Sequence, residues 1–190
     1  MKTLLHPTRR KSPPHIYLNI MNRKIDTVVV HCSATKAKSN ITATDIDKWH
    51  RARGFLGCGY HYVITRDGTV QSHAKGDRCR PLDMPGAHVG DCGSGWNKRS
   101  IGICMVGGLD AEGKPEDNFT VEQWASLRDL VIQVLTEHPT ITHIGGHRDL
   151  IKATNAPPKA CPCFSVADWF EVNVKPFTLD KRIKEIKPII

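Results

Sequence analysis

The sequence predicts an α/β (α+β) fold in which a central mixed β-sheet is flanked by helices. Apolar runs rich in β-branched residues, such as residues 25–31, are typical of buried central strands. Segments with helical spacing alternate with these runs along the chain, which favours helices packed against a sheet. Asp67-Gly68 lies between two further apolar runs and indicates a β-hairpin, so at least one pair of strands is antiparallel.

A helix and the hairpin follow the first strand. Thr42, with Asp45 three residues later, predicts the start of a helix that ends near Gly54. Residues 60–65 and 69–71 predict the two strands of the hairpin.

A long loop separates the hairpin from the next strand. Residues 79–99 contain two prolines and several glycines, so we expect an irregular loop, and loops of this length usually carry function. Residues 100–106 form another apolar run and predict a strand.

The second half of the chain predicts two helices around a short strand. Thr120 and Gln123 form a capping box at the start of the longer helix, which runs to Pro139. Residues 141–144 predict a strand that leads into two glycines, and residues 165–172 predict a final short helix.

The composition is that of one globular domain. The chain has 190 residues, of which 39% are hydrophobic and 24% charged. No apolar run approaches the roughly 18 residues of a membrane span. The N-terminal residues lack the apolar stretch of a secretory signal, so we expect a cytoplasmic protein whose seven cysteines are mostly free thiols. A monomer is the expected state.

The net charge of +8 is concentrated at the two ends of the chain. Residues 1–25 carry six Lys or Arg and no acid, and residues 175–190 carry five bases and two acids. We therefore predict a basic N-terminal extension over 1–24, a folded domain over 25–174 and a basic tail over 175–190. The folded domain is nearly neutral and lacks a basic stripe, which argues against a nucleic-acid-binding protein.

Three potential metal ligands follow predicted strands or close the loop beyond them. His31 ends the first strand, His147 follows the last strand, and Cys161 closes the next loop. Two imidazoles and one thiolate are typical of a catalytic zinc site whose fourth position is free for water. Zinc bound in this way lowers the pKa of its water toward ~7 and polarises a carbonyl.

A structural zinc site is the alternative grouping. It would use His143 with His147, and Cys161 with Cys163. The two glycines between the histidines disfavour the helix that would align them, and the chain contains no Cys-x2-Cys pair.

Several segments together carry a family resemblance that spans roughly residues 25–170. The chain resembles the zinc-dependent N-acetylmuramoyl-L-alanine amidases of type 2, especially the small phage lysozymes, which share their fold with peptidoglycan recognition proteins. The matching segments, in chain order, are Val30-His31-Cys32-Ser33-Ala34-Thr35, Gly59-Tyr60-His61-Tyr62, Arg66-Asp67-Gly68-Thr69-Val70, Ser100-Ile101-Gly102-Ile103, Val106-Gly107-Gly108, Phe119-Thr120, His147 and Pro158-Lys159-Ala160-Cys161-Pro162.

The resemblance implies an enzyme that cleaves the amide between N-acetylmuramic acid and L-alanine in peptidoglycan. It implies that His31, His147 and Cys161 bind Zn²⁺ and that Tyr60 and Lys159 are catalytic. Negative charge develops on the carbonyl oxygen during attack on an amide, and a cationic lysine beside zinc would stabilise it by ~3 kcal/mol. The phenol would bind the attacking water or transfer a proton.

The resemblance also indicates substrate contacts in the 79–99 loop. His88 matches a segment of the family on the glycan side, and Trp96 and Asn97 are further candidates. This loop is longer than in the shortest phage members. The other histidines are expected to be structural: His6, His15, His50, His61, His73 and His138.

A non-catalytic peptidoglycan-binding protein on the same fold is the alternative. Binders of this kind characteristically lack the thiolate ligand, so Cys161 favours the enzyme. We therefore predict a cell-wall lytic enzyme (an endolysin). The lack of an export signal fits an endolysin that stays in the cytoplasm until another protein opens the membrane, and it fits equally a bacterial enzyme exported by an unrecognised route.

Overall fold

The computed structural model describes residues 23–93 and 95–189, which form a mixed sheet covered by helices. The strands are β1 (Thr27–Cys32), β2 (Thr35–Lys36), β3 (Tyr62–Ile64), β4 (Val70–Ser72), β5 (Ser100–Met105), β6 (Gly108–Leu109), β7 (His143–Gly146) and β8 (Lys187–Pro188). The α-helices are α1 (Ala43–Ala52), α2 (Trp96–Arg99), α3 (Val121–Glu137), α4 (His147–Thr154), α5 (Val166–Asn173) and α6 (Lys181–Lys184).

The main sheet has six strands in the order β4-β3-β5-β1-β7-β8. The hairpin strands β3 and β4 are antiparallel, and the other neighbours are parallel. All six residues of β1 are buried, as expected for a strand with parallel neighbours on both sides. The predicted mixed sheet, the hairpin and the central position of the first strand are confirmed.

Helices cover both faces of this sheet. Val28 and Val30 of β1 face a core that includes apolar residues of α3 and α5. Val29 points to the opposite face and packs with Leu150 and Ile151 of α4. Because successive side chains of a strand point to opposite faces, one buried strand contributes to both cores.

The two predicted helix starts are formed by the residues that the capping pattern indicated. Asp45 Oδ2 accepts a hydrogen bond from Thr42 N (3.0 Å) before α1. Thr120 Oγ1 accepts one from Gln123 N (3.1 Å) before α3. The buried Gln123 also donates hydrogen bonds from Nε2 to the backbone oxygens of Ile64 (3.1 Å) and of Val106 (2.9 Å), the residue that follows β5. These bonds connect α3 to the sheet.

The helices α2, α4 and α6 were not predicted. α4 begins directly after β7, with Gly146 N donating to Asp149 Oδ2 (2.8 Å) at its start. It has only eight residues and lies between glycines and prolines, so its helical spacing of apolar residues was too short to predict a helix. The 79–99 loop, expected to be irregular, contains a 3-10 turn at Gly90–Cys92 and the single-turn helix α2.

The C-terminal segment is part of the domain and not the basic tail predicted over 175–190. β8 pairs with β7 in parallel. Ile183 and Ile186 are buried in the main core. The Lys and Arg residues around Ile183 and Ile186 are mostly on the surface. The many charges in the sequence therefore gave no indication that this segment is folded.

The predicted N-terminal extension, residues 1–24, lies mostly outside the described residues. Within the described part, Arg23 belongs to the fold, because its guanidinium donates to the backbone oxygens of Leu82 (2.8 Å), Lys98 (3.0 Å) and Ser100 (3.0 Å). Among the helices of the described ranges, none is long and apolar enough to cross a membrane.

Candidate active site

Two histidines meet at the carboxyl ends of neighbouring parallel strands. Val30 of β1 lies opposite Gly146 of β7, so the next residues, His31 and His147, occupy the same edge of the sheet. The centres of their imidazole rings lie 4.7 Å apart. His31 is 1% exposed and His147 is 6% exposed, so both rings belong to a buried floor.

The loop after α4 brings a cysteine to the same place. Cys161 accepts a hydrogen bond from Arg148 N at its backbone oxygen (2.7 Å) and one from Cys32 N at Sγ (3.2 Å). Cys161 Sγ lies 3.7 Å from His31 Nδ1. One ligand atom each of His31, His147 and Cys161 lies within 4.8 Å of the others. The three predicted metal ligands therefore form one cluster.

The chemistry of this cluster fits a zinc ion. Two imidazoles and one thiol are zinc ligands, and three of them leave one position for water or substrate. Burial lowers the pKa of His31 well below 6.5, and burial is also the main cause of the lowered pKa of His147. Both rings are therefore neutral at neutral pH, the form that binds metal. Cys161 Sγ accepts the hydrogen bond from Cys32 N, which helps to hold the sulfur in the cluster.

A cavity of about 610 Å³ lies against the cluster. Its lining includes both candidate catalytic side chains, Tyr60 and Lys159. Trp49, Arg53 and Phe55, on and just after α1, form another part of its wall. Trp49 is 43% exposed, so it faces the cavity instead of the core that the helical pattern indicated.

Tyr60 and Lys159 approach the cluster from different sides. The centre of the Tyr60 ring lies 5.1 Å from that of His31. Burial raises the pKa of Tyr60 well above 10, so its hydroxyl stays protonated at neutral pH and can donate a hydrogen bond. The Lys159 side chain is 46% exposed, and its ammonium pairs with the carboxylate of Asp91.

His88 contacts the cluster and not only the cavity. Its Nδ1 lies 2.9 Å from His31 Nε2, and its Nε2 lies 3.4 Å from Ser100 Oγ. The residue is 7% exposed. Both ring nitrogens therefore have protein partners, and His88 also lines the cavity, so its contact with substrate stays a prediction.

Trp96 and Asn97 do not line this cavity. Asn97 Oδ1 accepts hydrogen bonds from the backbone N–H groups of His88 (3.0 Å) and Val89 (3.1 Å). Trp96 packs against the small core that contains Val89 and Cys92. The two residues hold the 79–99 loop in place, and their contact with substrate stays a prediction.

Asp91 is the polar residue of the site that sequence reasoning missed. Its Oδ1 lies 3.1 Å from His147 Nε2, and its Oδ2 pairs with the ammonium of Lys159. A lone acid in a glycine-containing loop carries no local signal for this contact. The length of the loop was the one feature that drew attention to it.

The alternative structural zinc site is not formed by the described residues. No candidate metal group there includes His143 or Cys163. Cys163 Sγ instead lies 3.2 Å from Gly108 O and 3.8 Å from Cys32 Sγ. Burial raises the pKa of the Cys163 thiol to about 12, so it stays protonated.

A second group of potential ligands shares His147 with the first. It consists of Asp91, Cys92 and His147. Burial raises the pKa of the Cys92 thiol, which lies in an apolar core beside Val29 and Leu150. The ammonium of Lys159 already pairs with the Asp91 carboxylate. The cluster around Cys161 is therefore the better metal site.

Comparison with known sequences gives one consistent family. A family model described as N-acetylmuramoyl-L-alanine amidase matches residues 21–164. The endolysin of Klebsiella phage KP32 is 40% identical over 146 residues, which is 77% of this chain and 85% of that protein. The endolysin of Escherichia phage T7 is 39% identical over 148 residues, 78% of this chain and 87% of that protein.

Solved structures resemble the fold. The endolysin amidase LysCS from Clostridium intestinale matches with a TM-score of 0.61 and 27% identity, covering 82% of this chain and 88% of that one. Bumblebee PGRP-SA matches with a TM-score of 0.56 and 20% identity, covering 81% and 86%. At the lower identity the likeness concerns the fold alone, and it agrees with the predicted architecture.

Proposed function

Because the chain belongs to the N-acetylmuramoyl-L-alanine amidase family, we propose that it cleaves its substrate with a zinc ion bound by His31, His147 and Cys161. The protein is a cell-wall lytic amidase, and its substrate is the amide between N-acetylmuramic acid and L-alanine in peptidoglycan. The observation that carries the zinc proposal is the gathering of these three ligands beside the 610 Å³ cavity.

The ligands are prepared for a metal by their surroundings. His31 and His147 are neutral because burial disfavours the imidazolium, so no proton has to leave before a metal binds. The N–H of Cys32 donates a hydrogen bond to Cys161 Sγ and helps to hold the sulfur in place. When bound, zinc supplies a Lewis acid that polarises the scissile carbonyl and makes water a better nucleophile.

Lys159 is proposed to stabilise the negative charge that develops on the substrate's carbonyl oxygen. Its ammonium lies at the cavity wall, two residues before Cys161, and 46% of its side chain is exposed. A cation in this position, on a long and half-exposed side chain, can reach an oxygen that is held near the cluster. Donors of this kind are typically worth ~3 kcal/mol in the transition state.

Tyr60 is proposed to orient the attacking water through its hydroxyl. The raised pKa makes the phenol a hydrogen-bond donor and a poor base at neutral pH. The phenol therefore positions the reacting groups and does not remove a proton as a phenolate. Its ring, packed 5.1 Å from His31 and 5.6 Å from His50, is held in one orientation for this role.

The proposal is tested with purified protein and permeabilised Gram-negative cells. We expect about one zinc per chain and a fall in turbidity that a chelator abolishes and added zinc restores. Mass spectrometry of the released muropeptides should identify free stem peptides that begin with L-alanine. Tight peptidoglycan binding without cleavage at any zinc concentration would favour the non-catalytic binder instead.

Two finer statements about this chain remain predictions. We propose that it is a monomer, which size-exclusion chromatography with light scattering would check. We also propose that it accumulates in the cytoplasm before it reaches the cell wall. Fractionation of producing cells before lysis would contradict this if most of the protein were found in the periplasm.

A further inference from the structure

Asp91 joins two groups of the proposed site that approach it from different segments. Its Oδ1 accepts a hydrogen bond from His147 Nε2 (3.1 Å), and its Oδ2 accepts one from the ammonium of Lys159. From this geometry we propose that Asp91 is a positioning residue, which fixes the metal-binding nitrogen of His147 and holds Lys159 beside the cluster. The inference rests on the proposed zinc-dependent function.

The contact with His147 determines which ring nitrogen is available to a metal. A carboxylate only accepts hydrogen bonds, so His147 Nε2 must carry the proton. The lone pair that remains is on Nδ1. A carboxylate in this position orients a histidine ligand and makes it more basic, and loss of such a partner typically weakens metal binding by about 10- to 100-fold.

The position of Asp91 is fixed by anchors on both sides. Val89 is fully buried before it, and Cys92 is 5% exposed after it. Asn97 Oδ1 accepts hydrogen bonds from the backbone N–H groups of His88 and Val89, so the approach to the 3-10 turn is also held. The carboxylate is thus presented from a 3-10 turn whose flanking residues are buried or hydrogen-bonded.

The contact between Asp91 and Lys159 connects two segments that carry metal ligands. The lysine precedes the ligand Cys161 by two residues, and His147 is the first residue of α4. One carboxylate therefore connects the loop that carries the cysteine ligand to the helix that carries the histidine ligand. Loss of the carboxylate should loosen both groups, whereas loss of the lysine alone should leave the histidine contact intact.

The test measures zinc binding directly, with Zn²⁺ titrated against a chromophoric chelator at pH 7. We expect Asp91→Ala to raise the zinc dissociation constant about 10- to 100-fold. Asp91→Asn keeps an oxygen that can accept from His147 Nε2 but loses the negative charge, so its effect should be smaller than that of alanine and larger than that of the control variant. Lys159→Ala should bind zinc within about threefold of the parent, since it removes only the other partner of the carboxylate.

Asp83→Asn is the matched control. Asp83 lies in the same loop, is exposed, and makes no hydrogen bond or ion pair within residues 23–93 and 95–189. It should bind zinc as the parent does. Nitrogen-15 NMR of the zinc-loaded parent supplies a spectroscopic signature, because His147 should carry its proton on Nε2.

The possible results separate failure of this inference from failure of the proposed function. Zinc binding by Asp91→Ala within twofold of the parent, or a His147 proton on Nδ1, overturns this inference while the proposed function stands. Failure of the parent itself to bind zinc overturns the proposed function and the inference together. If Asp91→Ala does not fold, the comparison of Asp91→Asn with Asp83→Asn decides, and equal zinc binding by these two variants also overturns the inference.

Discussion

His31 and His88 are joined by a buried hydrogen bond, with His31 Nε2 2.9 Å from His88 Nδ1. This contact leaves His31 Nδ1 facing Cys161 Sγ, 3.7 Å away. We expect His88→Ala to weaken zinc binding about tenfold, because His31 loses the partner that orients its ring. KM for peptidoglycan should change little when zinc is saturating. Chelator competition and initial-rate kinetics measure the two quantities.

A glycine in β5 provides an independent way to move the same ring. A Cβ added at Gly102 would lie 2.7 Å from His88 Cδ2. Gly102→Ala should therefore displace His88, weaken zinc binding and destabilise the fold by about 1–3 kcal/mol.

For the His88→Ala variant itself, a raised KM with unchanged zinc affinity would instead support a direct contact between His88 and the substrate.

The two cysteines of the Cys161-Pro162-Cys163 segment are expected to differ in their effect on zinc. Cys161→Ser should lose zinc and activity together, because a serine hydroxyl is a poor replacement for a thiolate ligand. Cys163→Ser should keep the zinc content of the parent, since Cys163 Sγ lies against Gly108 O. Metal analysis of the dialysed proteins distinguishes them. Equal loss of zinc from both variants would contradict the ligand assignment.

Lys159→Ala should keep the fold and the zinc while turnover slows by about 100-fold, the usual cost of one lost oxyanion donor. Steady-state kinetics at saturating zinc would check this value. Lys152→Ala is a suitable control, because Lys152 is exposed on α4 and does not line the cavity. Turnover equal to that of the parent in Lys159→Ala would remove this lysine from the mechanism.

Local sequence patterns were sufficient for most of the central fold. The capping residues before α1 and α3 form the hydrogen bonds that their spacing indicated. The convergence of His31 and His147 follows from the parallel pairing of β1 with β7, in which Val30 faces Gly146. A strand's residues do not reveal its neighbour, however, so the ligand set depended on the family resemblance.

The features that were missed depend on contacts between distant segments. Asp91 reaches His147, 56 residues away, and Arg23 reaches the backbone oxygen of Ser100, 77 residues away. A charged side chain with such partners looks the same in the sequence as a solvated one. The same limit explains why residues 175–190 were predicted to be a tail. Ile183 and Ile186 are isolated apolar residues among lysines, and they are buried because they pack against the main core.

Acid should destabilise the fold through His61, which is 1% exposed. His61 Nδ1 accepts a hydrogen bond from Gly102 N (3.0 Å). Burial, and then the positive charge of Arg23, lower the pKa of His61 from 6.5 to about 3. The unfolded chain therefore binds a proton near pH 6.5 that the folded chain does not bind until about pH 3. The stability that His61 contributes is present above pH 6.5 and is lost as the pH falls, at about 1.4 kcal/mol per pH unit.

Urea unfolding at pH 7.0 and pH 4.5 measures this loss, and we expect about 2.5 kcal/mol of it to come from His61. His61→Asn is the informative variant, because its side-chain oxygen can accept the same hydrogen bond from Gly102 N without titrating. It should start from a lower stability at pH 7.0 but lose about 2.5 kcal/mol less than the parent on acidification. If the variant and the parent lost the same free energy over this interval, some other buried group would have to be the one that acid protonates.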